Sequence, residues 1–240
     1  MKEVTRYLLA ESPVHGETVL LGFTAGSVNE KTGNLMQVFI LHPDLDPVKA
    51  SQAGEDERIC GSCPLRHSLG GACYVTIFQG PLSLYNGWVR TGKRIDDPID
   101  VLELAAGKKI RWGAYGDPAH IPAWLAAEVM AASSGWTAYT HMWRNKEVAA
   151  TWKGKAMASC DTATQLRTAE AQGWAGFVAT PEKLHGVMQC LNESKGTQCI
   201  DCMRCNGAHG SVSINPHGAR MNSHPSMPKK TAVNKKGVAK

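Results

Sequence analysis

Two periods of apolar positions run along this chain, and they divide it. Leu35–Leu41 (LMQVFIL) is a short apolar, β-prone run, and it ends at His42-Pro43, where proline cannot continue a ladder. A long polar stretch follows, through Glu55-Asp56-Glu57-Arg58. From Lys108 onward strands and helices alternate. Ile110–Tyr115 predicts a strand stopped at Gly116-Asp117-Pro118, and Pro122–Ser133 a helix with proline near its start and Gly135 beyond its end. Trp136–Trp143 and Lys155–Cys160 predict two further strands. Asp161 or Thr162 would cap a helix over Ala163–Gln172, which Gly173 closes. Trp174–Thr180 predicts the next strand, Pro181-Glu182-Lys183 the start of another helix, and Ser211–Ile214 a last short strand stopped at Asn215-Pro216.

This rhythm of about five or six strands separated by helices predicts an α/β fold with a parallel sheet. Asp117, His141, Cys160-Asp161 and Thr180 all fall at or just past the C-terminal ends of successive strands. Barrels collect their chemistry there, so the expected form is a parallel (βα) partial or TIM-like barrel with cysteine-rich metal-binding loops.

Charge changes the picture only at one end. The 240 residues carry 26 Lys and Arg against 21 Asp and Glu, a formal +5. Residues 217–240 hold six of those basic side chains and no acid, which leaves the body near neutrality. The expected organisation is a single barrel-like domain over 1–218 and a basic, disordered tail over 219–240. Such a tail fits salt-sensitive attraction to nucleic acid, and fits plain solubility nearly as well. A body this long buries roughly 70–75% of its unfolded surface and needs no covalent staples. The longest apolar run, Ile121 to Ala132, is interrupted by Glu128, and the N-terminus lacks the apolar core of a signal peptide. A cytoplasmic protein without a membrane partner is expected.

Eight cysteines then need a reason, because reducing conditions argue against disulfides. Cys60-Gly-Ser-Cys63 places two thiolates on one tight turn, and Gly70-Gly71 lets the chain double back to deliver Cys73. Three thiolates leave one coordination position open, as in a catalytic metal or a substrate-binding cluster iron. With His67 as fourth ligand the same set would instead close a structural zinc site. Cys190 with Cys199-x2-Cys202-x2-Cys205 is a complete four-thiolate set for zinc or an iron–sulfur cluster, with His209 as a substitute if Cys190 is simply buried. Cys160 reads as a small buried hydrophobe, or as a fourth ligand to the first set.

Nine of the 16 aromatic residues lie between Trp112 and Phe177. Thr137, Tyr139, His141 and Trp143 share one strand face, a mixture that can stack and hydrogen-bond a base. Asp117, Asp161 and His141 are the candidate catalytic residues. A strand-end carboxylate can act as nucleophile, general base or substrate anchor, although the Gly-Asp-Pro turn alone would also account for Asp117.

The order Cys60-x2-Cys63-Pro64, Gly71-Ala72-Cys73-Tyr74, Arg111-Trp112-Gly113-x2-Gly116-Asp117, Tyr139-Thr140-His141, Cys199-x2-Cys202-x2-Cys205 and Pro216-His217-Gly218 resembles a family of poorly characterised bacteriophage proteins over residues 30–218. Those proteins look like distant relatives of radical S-adenosylmethionine enzymes. The resemblance implies a partial barrel, a cluster on Cys60, Cys63 and Cys73, a second metal centre on Cys190, Cys199, Cys202 and Cys205, and S-adenosylmethionine as a cofactor. The loop here is Cys-x2-Cys-x9-Cys where radical S-adenosylmethionine enzymes usually carry Cys-x3-Cys-x2-Cys. Val178-Ala179-Thr180-Pro181-Glu182 before a three-cysteine group is similar to tRNA-guanine transglycosylases and their DNA-modifying cousins. That likeness implies a structural zinc, with Asp161 or Asp117 as nucleophile and the other as base.

The leading expectation is a phage-type metal-binding barrel enzyme, with an iron–sulfur cluster or zinc, acting on a nucleotide or nucleic-acid base. The alternatives are a base-exchange transglycosylase with structural zinc, and a non-catalytic zinc-stabilised nucleic-acid-binding or host-takeover protein.

Overall fold

The chain enters on an antiparallel hairpin, β1 (Arg6–Glu11) and β2 (Thr18–Phe23), and β3 (Met36–Leu41) pairs antiparallel with β2. In this computed structural model the described residues are 5–218 and 220–227. Four helices follow: α1 (Pro47–Ala53), α2 (Glu57–Cys60), α3 (Gly80–Arg90) and α4 (Pro98–Ala105). Asp46 caps α1 by accepting the N–H groups of Val48 and Lys49, and Asp97 with Asp100 forms a capping box on α4.

The strand–helix rhythm then appears largely where the sequence puts it. β4 (Lys109–Tyr115) leads to α5 (Ala123–Ala132), then β5 (Gly135–Thr137) and β6 (Tyr139–Thr140). Next come α6 (Lys146–Trp152), β7 (Met157–Cys160), α7 (Ala163–Ala171) and β8 (Gly176–Ala179). The helix expected at Pro181 is absent. Thr180 Oγ1 accepts the N–H of Glu182 and holds a turn there. The chain continues through β9 (Met188–Gln189), α8 (Leu191–Lys195), α9 (Cys199–Cys202) and β10 (Val212–Ile214).

The strands form two five-stranded sheets, β1-β2-β3-β4-β5 and β6-β7-β8-β10-β9, and all pairings from β3 onward are parallel. Only Ala138 separates β5 from β6. Its N–H donates to the Cys205 carbonyl (3.0 Å) and its own carbonyl accepts from Met157 (2.8 Å), so one sheet passes into the other at a joint. Among the described residues no ladder joins β1 to β9, and a closed barrel is not formed. The mixed α/β fold with parallel sheets is as expected; the antiparallel β1–β2 entry is an addition.

Faces alternate along β4, as the two-residue period of a strand requires. Ile110, Trp112 and Ala114 are buried in the core, with Trp112 edge-on to Trp152 of α6 at 5.9 Å. Arg111, Gly113 and Tyr115 point the other way and line a cavity. Among the described residues no helix is long and apolar enough to cross a membrane.

Part of the expected tail is packed. Just before it His217 lies tilted against Tyr74 at 5.4 Å between ring centroids, and within it Arg220 reaches the Gly71 carbonyl at 3.4 Å and His224 is buried. Residue 219 and residues 228–240, with all five of the tail's lysines, lie outside the described residues.

Candidate functional site

A cavity of about 400 Å³ opens along the polar face of the parallel strands. All eight cysteines reach its walls, together with Asp117, His141 and Asp161. Both groups of cysteines therefore face one cavity.

The first set is held by the polar stretch preceding it. Buried Asp56 accepts the N–H and the hydroxyl of Ser68, and its carbonyl accepts the N–H of Cys60 at 3.0 Å. Cys63 N–H bonds the Cys60 carbonyl (3.2 Å) and Cys73 N–H the Leu65 carbonyl (3.0 Å), so the turn and the doubled-back strand of the loop are fixed relative to each other. A Cβ on Gly71 would lie 2.4 Å from the Leu65 carbonyl carbon, which explains the glycine there. Gly116, at φ +79°, lets the end of β4 meet Ile59 and Ile40 closely, and Asp117 N–H donates to the Ile59 carbonyl at 2.7 Å. His67 is spent on the Val75 carbonyl (2.9 Å) and does not line the cavity.

The second set is strapped across the chain. Cys199 and Ile200 donate their N–H groups to the Lys31 and Thr32 carbonyls, both at 3.0 Å, and Cys190 N–H bonds Ser213 next to β9 (2.8 Å). Lys109 Nζ donates to the Ile200 carbonyl at 2.7 Å. Cys205 sits at the Ala138 joint, where its carbonyl accepts the Ala138 N–H. His209 is exposed and outside the cavity.

Burial pushes the Cys60 thiol up strongly, with Cys63 and Cys73 adding to it, and pushes Cys73 to about 11. Burial likewise raises Cys199, and takes Cys205 to about 12. These thiols are neutral at pH 7, and a bound metal would replace their protons. Among the described residues no group of three or more His, Cys, Asp or Glu side chains is assembled to hold a metal ion as it stands. The donor chemistry nonetheless fits thiophilic metals: three thiols of one loop line the cavity in one set, and four in the other. Tyr115 adds a buried hydroxyl with no hydrogen-bond partner to the same cavity wall. Cys160 donates its thiol to the Ala158 carbonyl (3.4 Å), and burial lifts it to about 12, the behaviour of a small buried hydrophobe.

Asp117 is fully committed to the backbone around it. One oxygen accepts Ala119 N–H (3.0 Å) and Thr140 Oγ1 (2.8 Å), the other accepts His141 N–H (2.8 Å). Burial raises its pKa, and these bonds oppose the rise. Asp117 thereby fixes the end of β6 and aims His141.

His141 and Asp161 form a largely buried pair on the cavity wall. His141 Nε2 lies 3.3 Å from Asp161 Oδ1, at the ends of β6 and β7. Burial disfavours the imidazolium, but Cys63 and Asp161 outweigh it and raise the His141 pKa well above that of a free histidine. On the other side, His224 Nε2 is 3.8 Å from the same Asp161 oxygen, buried and without a hydrogen-bond partner. His224 falls in the stretch whose composition reads as tail, so no sequence signal marks it. Arg111, also on the cavity wall, was legible only as part of a longer motif.

Of the strand Trp136–Trp143, Thr137, Tyr139 and His141 do share the cavity face. Trp143 turns away and donates its indole N–H to the Ser159 carbonyl at 3.0 Å. Trp112 is core, and Trp136 bonds the Lys155 carbonyl (2.8 Å). In comparisons with known proteins, no family model, no curated protein and no solved structure matches this chain.

Proposed function

We propose that the chain is a metal-binding enzyme in which Cys60, Cys63 and Cys73 hold an iron–sulfur cluster or a zinc ion at an open site. Cys190, Cys199, Cys202 and Cys205 hold a second centre, and the cavity between them takes a nucleotide or nucleic-acid base. One observation carries the reading: both thiol sets, on loops far apart in sequence, line the same cavity as Asp161 and His141. Structural zinc clips have no need to share a cavity with a histidine–carboxylate pair. The parallel strand ends that gather these residues are in keeping with a partial barrel.

The three-thiol set would supply an open coordination position for substrate or redox chemistry when loaded. The chain's own residues do the rest. His141, held by the Asp117 carboxylate through its backbone and by Asp161 through its ring, is placed to pass a proton to or from a bound group. His224 encloses Asp161 on its far side and excludes water from that carboxylate. Asp117 has every oxygen engaged inside the protein, which favours a positioning role over that of nucleophile.

Anaerobic purification followed by iron, sulfide and zinc stoichiometry tests this. Two independent losses of metal are expected, one when Cys60, Cys63 and Cys73 are replaced by alanine and one when the four later cysteines are. A metal-free, colourless protein from both aerobic and anaerobic preparations would sink the proposal.

A further inference from the structure

We infer that Arg111 is the anion-recognition residue of the cavity, binding a phosphate of a nucleotide substrate whose reacting part lies against His141 and Asp161. The inference rests on the reading of this cavity as a substrate site, and it adds which end of the substrate goes where.

Arg111 stands on the cavity face of β4 with its guanidinium half-buried. Its Nε is buried without a hydrogen-bond partner, and Nη2 donates to the Tyr74 hydroxyl at 2.6 Å. Among the described residues no carboxylate pairs with it, whereas Arg66, also largely buried, has both Asp56 and Glu57. A guanidinium taken out of water without an anion is costly, and its planar fork matches a phosphate. Among the described residues the guanidinium's hydrogen bond goes to Tyr74 and none goes to a thiol. Lys31 and Arg204 line the same cavity, whose only carboxylates among the described residues are Asp117 and Asp161, beyond the C-terminal ends of β4 and β7. The cavity is therefore electrically polarised, with cations toward one end and the histidine–carboxylate pair toward the other.

The sheet register sets the span between them. Arg111 pairs with Thr137 at the end of β5, and His141 follows β6 four residues later, past the Ala138 joint, so Thr137 and His141 are at most about 13 Å apart along the chain. Tyr139 sits between them, edge-to-face with Phe177 at 4.8 Å, which gives a planar ring a wall to lie against. That span and that order of groups suit a nucleoside monophosphate, and a cavity of about 400 Å³ is in the range that holds one.

The test is calorimetric titration of the full-length protein with nucleoside 5′-monophosphates, the matching nucleosides and inorganic phosphate, with metal content measured on every sample. At least one monophosphate is expected to bind tenfold or more tightly than its nucleoside. R111Q should erase that difference without changing metal content, and R111K should retain part of it because it keeps the charge and loses the fork. Three outcomes overturn the inference: equal binding of nucleotide and nucleoside by the native protein, an unchanged phosphate preference in R111Q, or loss of metal from the second thiol set in R111Q with phosphate preference intact in R111K. The last would make Arg111 a partner of the thiolates. Absence of metal with the phosphate preference intact would instead fail the metalloenzyme reading and leave the anion site standing.

Discussion

The carboxylate of Asp117 accepts the backbone N–H of His141 at 2.8 Å, across 24 residues of sequence. The bond ties the turn after β4 to the end of β6, and with the Thr140 and Ala119 bonds it leaves the carboxylate no free oxygen. An asparagine there must turn its NH₂ toward a donor. D117N should cost about 1–3 kcal/mol, lowering the thermal midpoint by about 2–4 °C per kcal/mol for a chain of this size. Differential scanning calorimetry reads it. An unchanged midpoint with abolished turnover would make Asp117 a reacting group instead.

Gly71 is a second steric checkpoint. The atoms a Cβ would strike belong to the Leu65 backbone, which also carries the acceptor for Cys73 N–H, so relief by side-chain rotation is not available. G71A should destabilise by about 1–3 kcal/mol, as overpacking does, and should lower metal retention by the first thiol set while sparing the second. Equal retention by both sets would show that Cys73 does not depend on this close approach.

His120 sets an acid limit. It is fully buried, its Nδ1 is 2.9 Å from Ser12 Oγ, and burial together with His15 lowers its pKa from 6.5 to about 3. Between those values the unfolded chain binds a proton that the folded chain refuses, so stability falls as pH falls from 6.5 toward 3. The slope from this one residue is about 1.4 kcal/mol per pH unit. H120Q should flatten that limb by one proton in denaturant melts taken across the interval. An identical pH dependence in H120Q would place the acid sensitivity elsewhere.

The strand ends were legible because parallel strands with helical returns write themselves twice, in apolar runs and in the turn residues that stop them. Asp117, His141 and Asp161 follow from that rhythm, and the structure brings His141 and Asp161 to 3.3 Å. The β1–β2 hairpin escaped because it precedes the alternating region, although Val19–Phe23 is itself a buried apolar run. Trp143 was assigned the cavity face because the strand was read as continuous to residue 143, whereas β6 ends at Thr140 and the chain turns. His224 was hidden for a different reason. Composition reports how much apolar surface a segment can bury, and residues 220–227 bury chiefly a polar ring, against a carboxylate that only tertiary structure brings near.

The joint at Ala138 has a bearing on how the protein is made. Its hydrogen-bond acceptor is the carbonyl of Cys205, which leaves the ribosome long after β5 and β6 do. During synthesis β1 to β9 therefore emerge before the peptide that fastens the joint, while β10, which bridges β8 and β9, follows it, and the cysteine cavity stays open on that side. On the proposed metal-binding reading, the earlier thiol set would be most accessible in that interval, before the later cysteines emerge.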